Sequence, residues 1–228
     1  MKPRVGFAVL AALPREIHGL VGRVRPEPAL LRQGIHLYRL PEAVVATAGM
    51  GQARVALAFA AAINACHPST VLSVGLAGAC GSDTAAGSVY EAGLVIDSQT
   101  GERFETGQEN IAPTLVTIAA IAGIQEKARL AEAYGAAMVD MEAATVARLA
   151  LAHGLPFRAI KGISDAHDFE MASLSRFAGA QGQFRTAAFA LHTALRPHHW
   201  RPAARLGRNS YRALESLHAR LFEFIPRT

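Results

Sequence analysis

Cysteine is scarce in this chain of 228 residues, where only Cys66 and Cys80 occur. Two such residues give neither a disulfide framework nor a metal-ligand spacing, which excludes a stapled secreted scaffold and suits a reducing cytoplasm. Both are expected as small buried hydrophobes. Long apolar runs are missing as well, since nothing approaches the roughly 20 residues that cross a bilayer. The apolar stretch from Gly6 to Leu13 is short and meets Pro14-Arg15-Glu16 directly, as a first strand does and a signal peptide does not. Acidic residues are sparse at one end: from Arg196 onward seven arginines accompany two glutamates. That surplus accounts for the whole formal charge of +5 and leaves the first 195 residues balanced, so nucleic acid is not the implied partner of the core. Finally, Gly49-Met50-Gly51 lacks the third glycine and the later acid of a dinucleotide fingerprint, and that class is excluded too.

What is present is an apolar content of 51% in a chain long enough to bury a substantial core. Strands and helices alternate. Arg4 to Ala12 reads as a buried strand, and Pro14 opens a helix. Leu30 to Leu40 predicts a hairpin around Gln33-Gly34. Ala43 to Ala48 is a strand ending in Gly49-Met50-Gly51, ahead of an alanine-rich helix from about Gln52 to Ala65. Ser69 to Val74 is the central strand, leading into a glycine loop, Gly75-Leu76-Ala77-Gly78. Val89 to Ile96 and Leu115 to Ala122 are further strands around the polar stretch Asp97 to Asn110. Such alternation points to a three-layer α/β domain over residues 1–195, with a central mixed, twisted sheet between helices.

Two acidic stretches organise the chain: Val139-Asp140-Met141-Glu142-Ala143-Ala144 and Ile160-Lys161-Gly162-Ile163-Ser164-Asp165-Ala166-His167-Asp168. Between them Thr145 to Leu151 forms a helix closed by His153-Gly154-Leu155-Pro156, and Phe157 to Ile160 forms a strand. Glu142 therefore sits at a helix start and Asp165 just past a strand end, where site residues of open α/β sheets lie. Ordinary helix-dipole and turn chemistry accounts for either acid equally well. His198 and His199 adjoin but lack companion ligands, so no metal is expected.

These stretches, with Ser73-Val74-Gly75-Leu76-Ala77-Gly78 and Thr47-Ala48-Gly49-Met50-Gly51, resemble in order and spacing the nucleoside phosphorylase superfamily. The resemblance is nearest to its methylthioadenosine/S-adenosylhomocysteine nucleosidase branch and covers about residues 4 to 192. It implies cleavage of a purine N-glycosidic bond without metal or organic cofactor. Asp165, protonated at rest, would be the general acid toward the leaving base, and Glu16 would activate water. Glu142, kept ionised, would hold ribose hydroxyls, with Met141 against the sugar, Gly75 approaching the ligand and Phe169 near the purine; Gly49 and Gly51, between strand and helix, either let the backbone approach the ligand or serve a close helix-to-strand packing corner. Phe177, like Phe169, is a candidate for contact with the purine or its 5′ substituent, and Gln183 to Leu195 reads as the last helix of the domain. The resemblance further implies a homo-oligomer, most simply a dimer, in the cytoplasm that the cysteine usage suits.

The sequence also departs from that pattern. Arg15 stands where the nucleosidases carry an acid, and Ser73 where phosphorolytic relatives carry an arginine that grips phosphate. Ser73 favours hydrolysis, whereas Arg15 or Arg54 would restore a phosphate site. The polar loop is short, and Ala120-Ile121-Ala122-Gly123 replaces the usual purine-edge segment. Beyond the domain, residues 196–228 comprise a basic linker and a helix from Ala203 to Phe224 with Leu214, Leu217, Leu221 and Phe224 on one side. Such a helix either meets a membrane surface or partner, or packs on its own domain with a solvated arginine face. Three activities stay open at this point: a purine nucleosidase, a phosphorylase of a 5′-substituted adenosyl compound such as adenosylhopane, and a nucleoside-binding module without turnover.

Overall fold

A computed structural model describes residues 2–107, 112–171 and 200–226. The sequence expectations for Phe177, for the helix from Gln183 to Leu195 and for the linker at 197–199 lie outside those residues. In chain order the strands are β1 (Arg4–Ala11), β2 (His36–Arg39), β3 (Ala43–Thr47), β4 (His67–Ala79), β5 (Val89–Glu91), β6 (Leu94–Asp97), β7 (Arg103–Glu105), β8 (Thr114–Thr117), β9 (Ala136–Asp140) and β10 (Phe157–Asp165). The helices are α1 (Pro14–Val21), α2 (Pro28–Leu31), α3 (Gln52–Ala65), α4 (Ile124–Tyr134), α5 (Ala143–Ala152) and α6 (Trp200–Leu221).

All ten strands join one mixed sheet, ordered β2-β3-β1-β4-β9-β8-β6-β7, with β10 pairing β4 and β5 off that path. The long central strand β4 is the reason for the branch. It runs parallel to β1 on one side and to β10 on the other, and its last residues pair antiparallel with β9, Gly78 opposite Val139 and Ala79 opposite Met138. At this fork β10 ends beside Gly78, after an irregularity between Ile163 and Asp165. The ends of β9 and β10 are thereby brought together, and they carry the two acidic stretches.

Both faces of the central strands are covered, so these strands read as nearly continuous apolar runs. Alternation divides them between two layers. Ala8 and Leu10 of β1 pack with Val55, Ala58 and Phe59 of α3 and with Val146 of α5. Val9 and Ala11 pack on the other face with Ile17 and Leu20 of α1 and Leu217 and Leu221 of α6. A third cluster joins Leu130 of α4 to Ile96, Val116 and Val139. The fold is a mixed sheet between helical layers.

The basic C-terminal helix packs within this body. Ala213, Leu217 and Leu221, four residues apart, are fully buried, and burying each leucine is worth about 2 kcal/mol. Gly162 of β10 admits the helix closely: a Cβ there would lie 2.8 Å from the Ala213 carbonyl oxygen. Among the described residues no helix is long and apolar enough to cross a membrane.

Several local expectations shift. The hairpin lies one turn later than predicted, as β2 and β3. Pro28 starts α2 instead, and the chain reverses at Pro41, with the Leu40 N–H bonded to the Ala43 carbonyl at 2.8 Å. The expected glycine loop at 75–78 is part of β4, because β10 and β9 continue to supply ladder partners there. The single strand expected over Val89 to Ile96 breaks into β5 and β6 at Ala92-Gly93, and β8 ends at Thr117, short of Ala122.

Candidate active site

Glu16 owes its place to the strand-to-helix corner. Pro14 fixes the first turn of α1, and Glu16, two residues later, turns its side chain back over the helix start. Its Oε2 accepts N–H bonds from Ala12 at 3.0 Å and Leu13 at 2.9 Å, and its Oε1 accepts from Leu76 of β4 at 3.2 Å. Gly75 is required behind it: its φ is +134°, and a Cβ would come within 3.0 to 3.2 Å of the Glu16 carboxylate. Among the described residues, the buried carboxylate is thus held by backbone N–H groups.

Glu142 stands at the N-cap of α5, and its Oε1 accepts the Gly51 N–H at 2.7 Å. Burial, reinforced by nearby Asp140, pushes its carboxyl up to about 7, against the opposing pull of Lys161 and the Gly51 N–H. Burial and Asp140 thus work against the ionised form that the sequence reading assigned to this group, and Lys161 and the Gly51 N–H work for it. Asp140 is anchored beneath it by Lys161 Nζ at 2.9 Å, the Thr117 hydroxyl at 2.7 Å and the Ala143 N–H at 3.0 Å. Lys161 also donates to Ser73 Oγ at 3.1 Å. Its burial favours the neutral amine, but Asp140 and Glu142 outweigh that effect and raise its affinity for the proton.

Asp165 closes β10. It is buried, accepts the Ser164 hydroxyl at 2.5 Å, and forms an ion pair with Lys127 of α4. The carboxyl that the sequence was read to hold protonated at rest is therefore paired with a cation. Gly78 makes room, since a Cβ there would lie 3.1 Å from Asp165 Oδ2 and 3.2 Å from Lys127 Cε.

Glu16, Glu142 and Asp165 line one cavity of about 440 Å³, together with Met141. Its other walls are largely apolar, and one is contributed by α6 through Leu206, Tyr211 and Leu214. Three buried acids from three separate elements thus face one space large enough for a small ligand. A family model described as the phosphorylase superfamily matches residues 100–195. The chain has a nucleoside phosphorylase-like fold. Among solved structures it is similar to the methylthioadenosine nucleosidase of Arabidopsis thaliana, with TM-score 0.72 and 16% identity over 97% of this chain and 95% of that one. The methylthioadenosine/S-adenosylhomocysteine nucleosidase of Helicobacter pylori gives TM-score 0.65 and 18% identity, covering 98% of this chain and 100% of its own. Futalosine hydrolase from the same organism gives 0.62 and 21%, covering 82% and 96%. No curated protein matches the sequence.

Within the phosphorylase-like fold, the remaining residues singled out by sequence take supporting places. Gly51 orients Glu142, and the Gly49 N–H bonds to the Ala12 carbonyl at 2.9 Å. Phe169 is buried, with the Arg205 guanidinium 5.0 Å from its ring centre, and its carbonyl accepts from Lys127 at 3.2 Å. Arg54 is tied to the Ala48 and Gly34 carbonyls at 2.5 and 3.2 Å, whereas Arg15 reaches the cavity. His167 and Asp168 are exposed. Among the described residues no group of three or more His, Cys, Asp and Glu could hold a metal ion.

Sequence reasoning assigned no role to Lys127 or Lys161. A lysine inside the apolar run Ala159-Ile160-Lys161-Gly162-Ile163 requires a buried acid, and that was the available signal. For Lys127 the signal was its spacing from Leu130 and Tyr134 on the inner stripe of α4.

Proposed function

We propose that the protein hydrolyses the N-glycosidic bond of an adenosine-type purine nucleoside, of the methylthioadenosine or S-adenosylhomocysteine kind, and releases adenine. The observation that carries this reading is the convergence of Glu16, Glu142 and Asp165 on one mostly apolar cavity. Cleavage needs a proton for a base that would leave as an anion and negative charge near a sugar that becomes cationic. Asp165 serves the first need. Glu142, once ionised, serves the second and binds ribose hydroxyls, while Met141 packs on the sugar. Glu16 accepts the proton of the attacking water. Hydrolysis is favoured because Ser73 and Arg54 are both engaged within the fold and neither lines the cavity.

One observation supports a second reading. Arg15 lines the cavity beside Glu16, and α6 extends its apolar wall. A phosphate beside that guanidinium and a bulky apolar 5′ group along α6 would make the reaction phosphorolysis of a 5′-substituted adenosyl compound such as adenosylhopane. Chromatography of a panel of methylthioadenosine, S-adenosylhomocysteine, adenosine, inosine, futalosine and a 5′-lipidic adenosyl analogue, with and without phosphate, separates the two. Free base without phosphate supports hydrolysis, and a sugar 1-phosphate formed only with phosphate supports the second reading. Binding of these compounds without base release would reduce the site to a nucleoside-binding module.

A further inference from the structure

Lys127 has no part in the chemistry described so far. It projects inward from the first turn of α4 and is 1% exposed. Its nitrogen meets three acceptors: Asp165 Oδ2, the Ala166 carbonyl at 2.9 Å and the Phe169 carbonyl at 3.2 Å. An ammonium has three N–H bonds, so the protonated form is fully satisfied, whereas a neutral amine would leave one acceptor without a donor. The cation also compensates a carboxylate that would otherwise be buried alone. At rest, then, the proton resides on Lys127, and Asp165 is a carboxylate accepting from Ser164. An ionised carboxylate cannot by itself protonate a departing base.

We propose that Lys127 and Asp165 form one proton-holding unit, in which Lys127 carries the proton at rest and passes it through Asp165 to the leaving base. Lys127 is a positioning residue in this scheme, acting through the carboxylate, and the inference rests on the N-glycosidic cleavage proposed above. As the C1′–N bond breaks, its electron pair passes to the base. The base nitrogen takes a proton from Asp165, which takes one from Lys127 Nζ. Water oxygen bonds to C1′ and gives its proton to Glu16. Solvent then restores the proton to Lys127 and removes that of Glu16, so the net change is one water consumed. Among the described residues, Cys80 feels both members of the pair and also Glu126. Burial first, with Asp165 and Glu126 adding and Lys127 opposing, pushes the Cys80 thiol up to about 12, so it does not compete for the proton.

Arginine at position 127 keeps the cation but does not surrender its proton. Two substrates make this decisive: a purine nucleoside, whose base needs a proton to leave, and p-nitrophenyl riboside, whose phenolate does not. Lys127→Arg in the full chain is expected to lose about 100- to 1,000-fold in kcat on the nucleoside. On the riboside it should stay within about threefold, since only proton transfer is removed. Equal losses on both substrates, or normal turnover of the nucleoside, would overturn the proposal. If the unsubstituted chain releases nothing from either substrate, the functional reading itself falls, and this inference with it.

Discussion

Glu142 ties the chemistry of the cavity to the stability of the fold, and Glu142→Gln isolates that tie. Glutamine preserves shape and can still accept the Gly51 N–H, but it does not titrate. The native carboxyl is raised from 4.5 to about 7, by burial first and by Asp140 second. The folded protein therefore holds this proton more tightly than the unfolded chain, and stability falls as pH rises from about 4.5 to about 7. At about 1.4 kcal/mol per pH unit, the group's contribution to that fall comes to roughly 3 kcal/mol. Urea denaturation of both proteins at pH 5 and pH 8 reads it directly. The variant should gain stability relative to the parent, by that amount, between the two conditions. Parallel pH dependence in the two proteins would refute the reasoning. Activity moves the opposite way: if ionised Glu142 binds ribose, kcat/KM of the parent rises through about pH 7 while stability declines.

Two further perturbations probe the supports of the site. Lys161→Met should destabilise by about 3 to 5 kcal/mol in chemical denaturation, because it leaves Asp140 buried without its cation. Gly162→Ala should cost about 1 to 3 kcal/mol. Its Cβ would meet the Ala213 carbonyl oxygen at 2.8 Å, and the resulting shift of α6, which walls the cavity, should raise KM more than it lowers kcat.

The acids were legible because each sits where local chemistry marks an element end. Proline after a buried strand announces the α1 corner, and an alanine-rich helix followed by Gly154 and Pro156 brackets the span between Glu142 and Asp165. Their convergence was not legible from the same signals. It depends on the fork at Gly78, which pairs with β10 on one side and with β9 on the other, and strand branching leaves no local pattern. For the same reason the glycines of β4 were read as a loop, although two of them are strand residues emptied of side chain to admit Glu16 and Asp165. α4 was passed over, and with it Lys127, because Ile-Gln-Glu-Lys-Ala-Arg-Leu resembles a solvated helix until its inner stripe is traced. The apolar side of α6 was visible in its leucine spacing. Its place in the cavity wall depends on the tertiary approach of Ala213 to Gly162.

The central claim is tested most directly by following adenine release from methylthioadenosine in phosphate-free buffer, with the parent chain and Asp165→Asn side by side. The parent should release adenine, and the variant should be slower by about two to four decades. Equal rates in the two proteins, or no base released by the parent from any purine nucleoside, would contradict it.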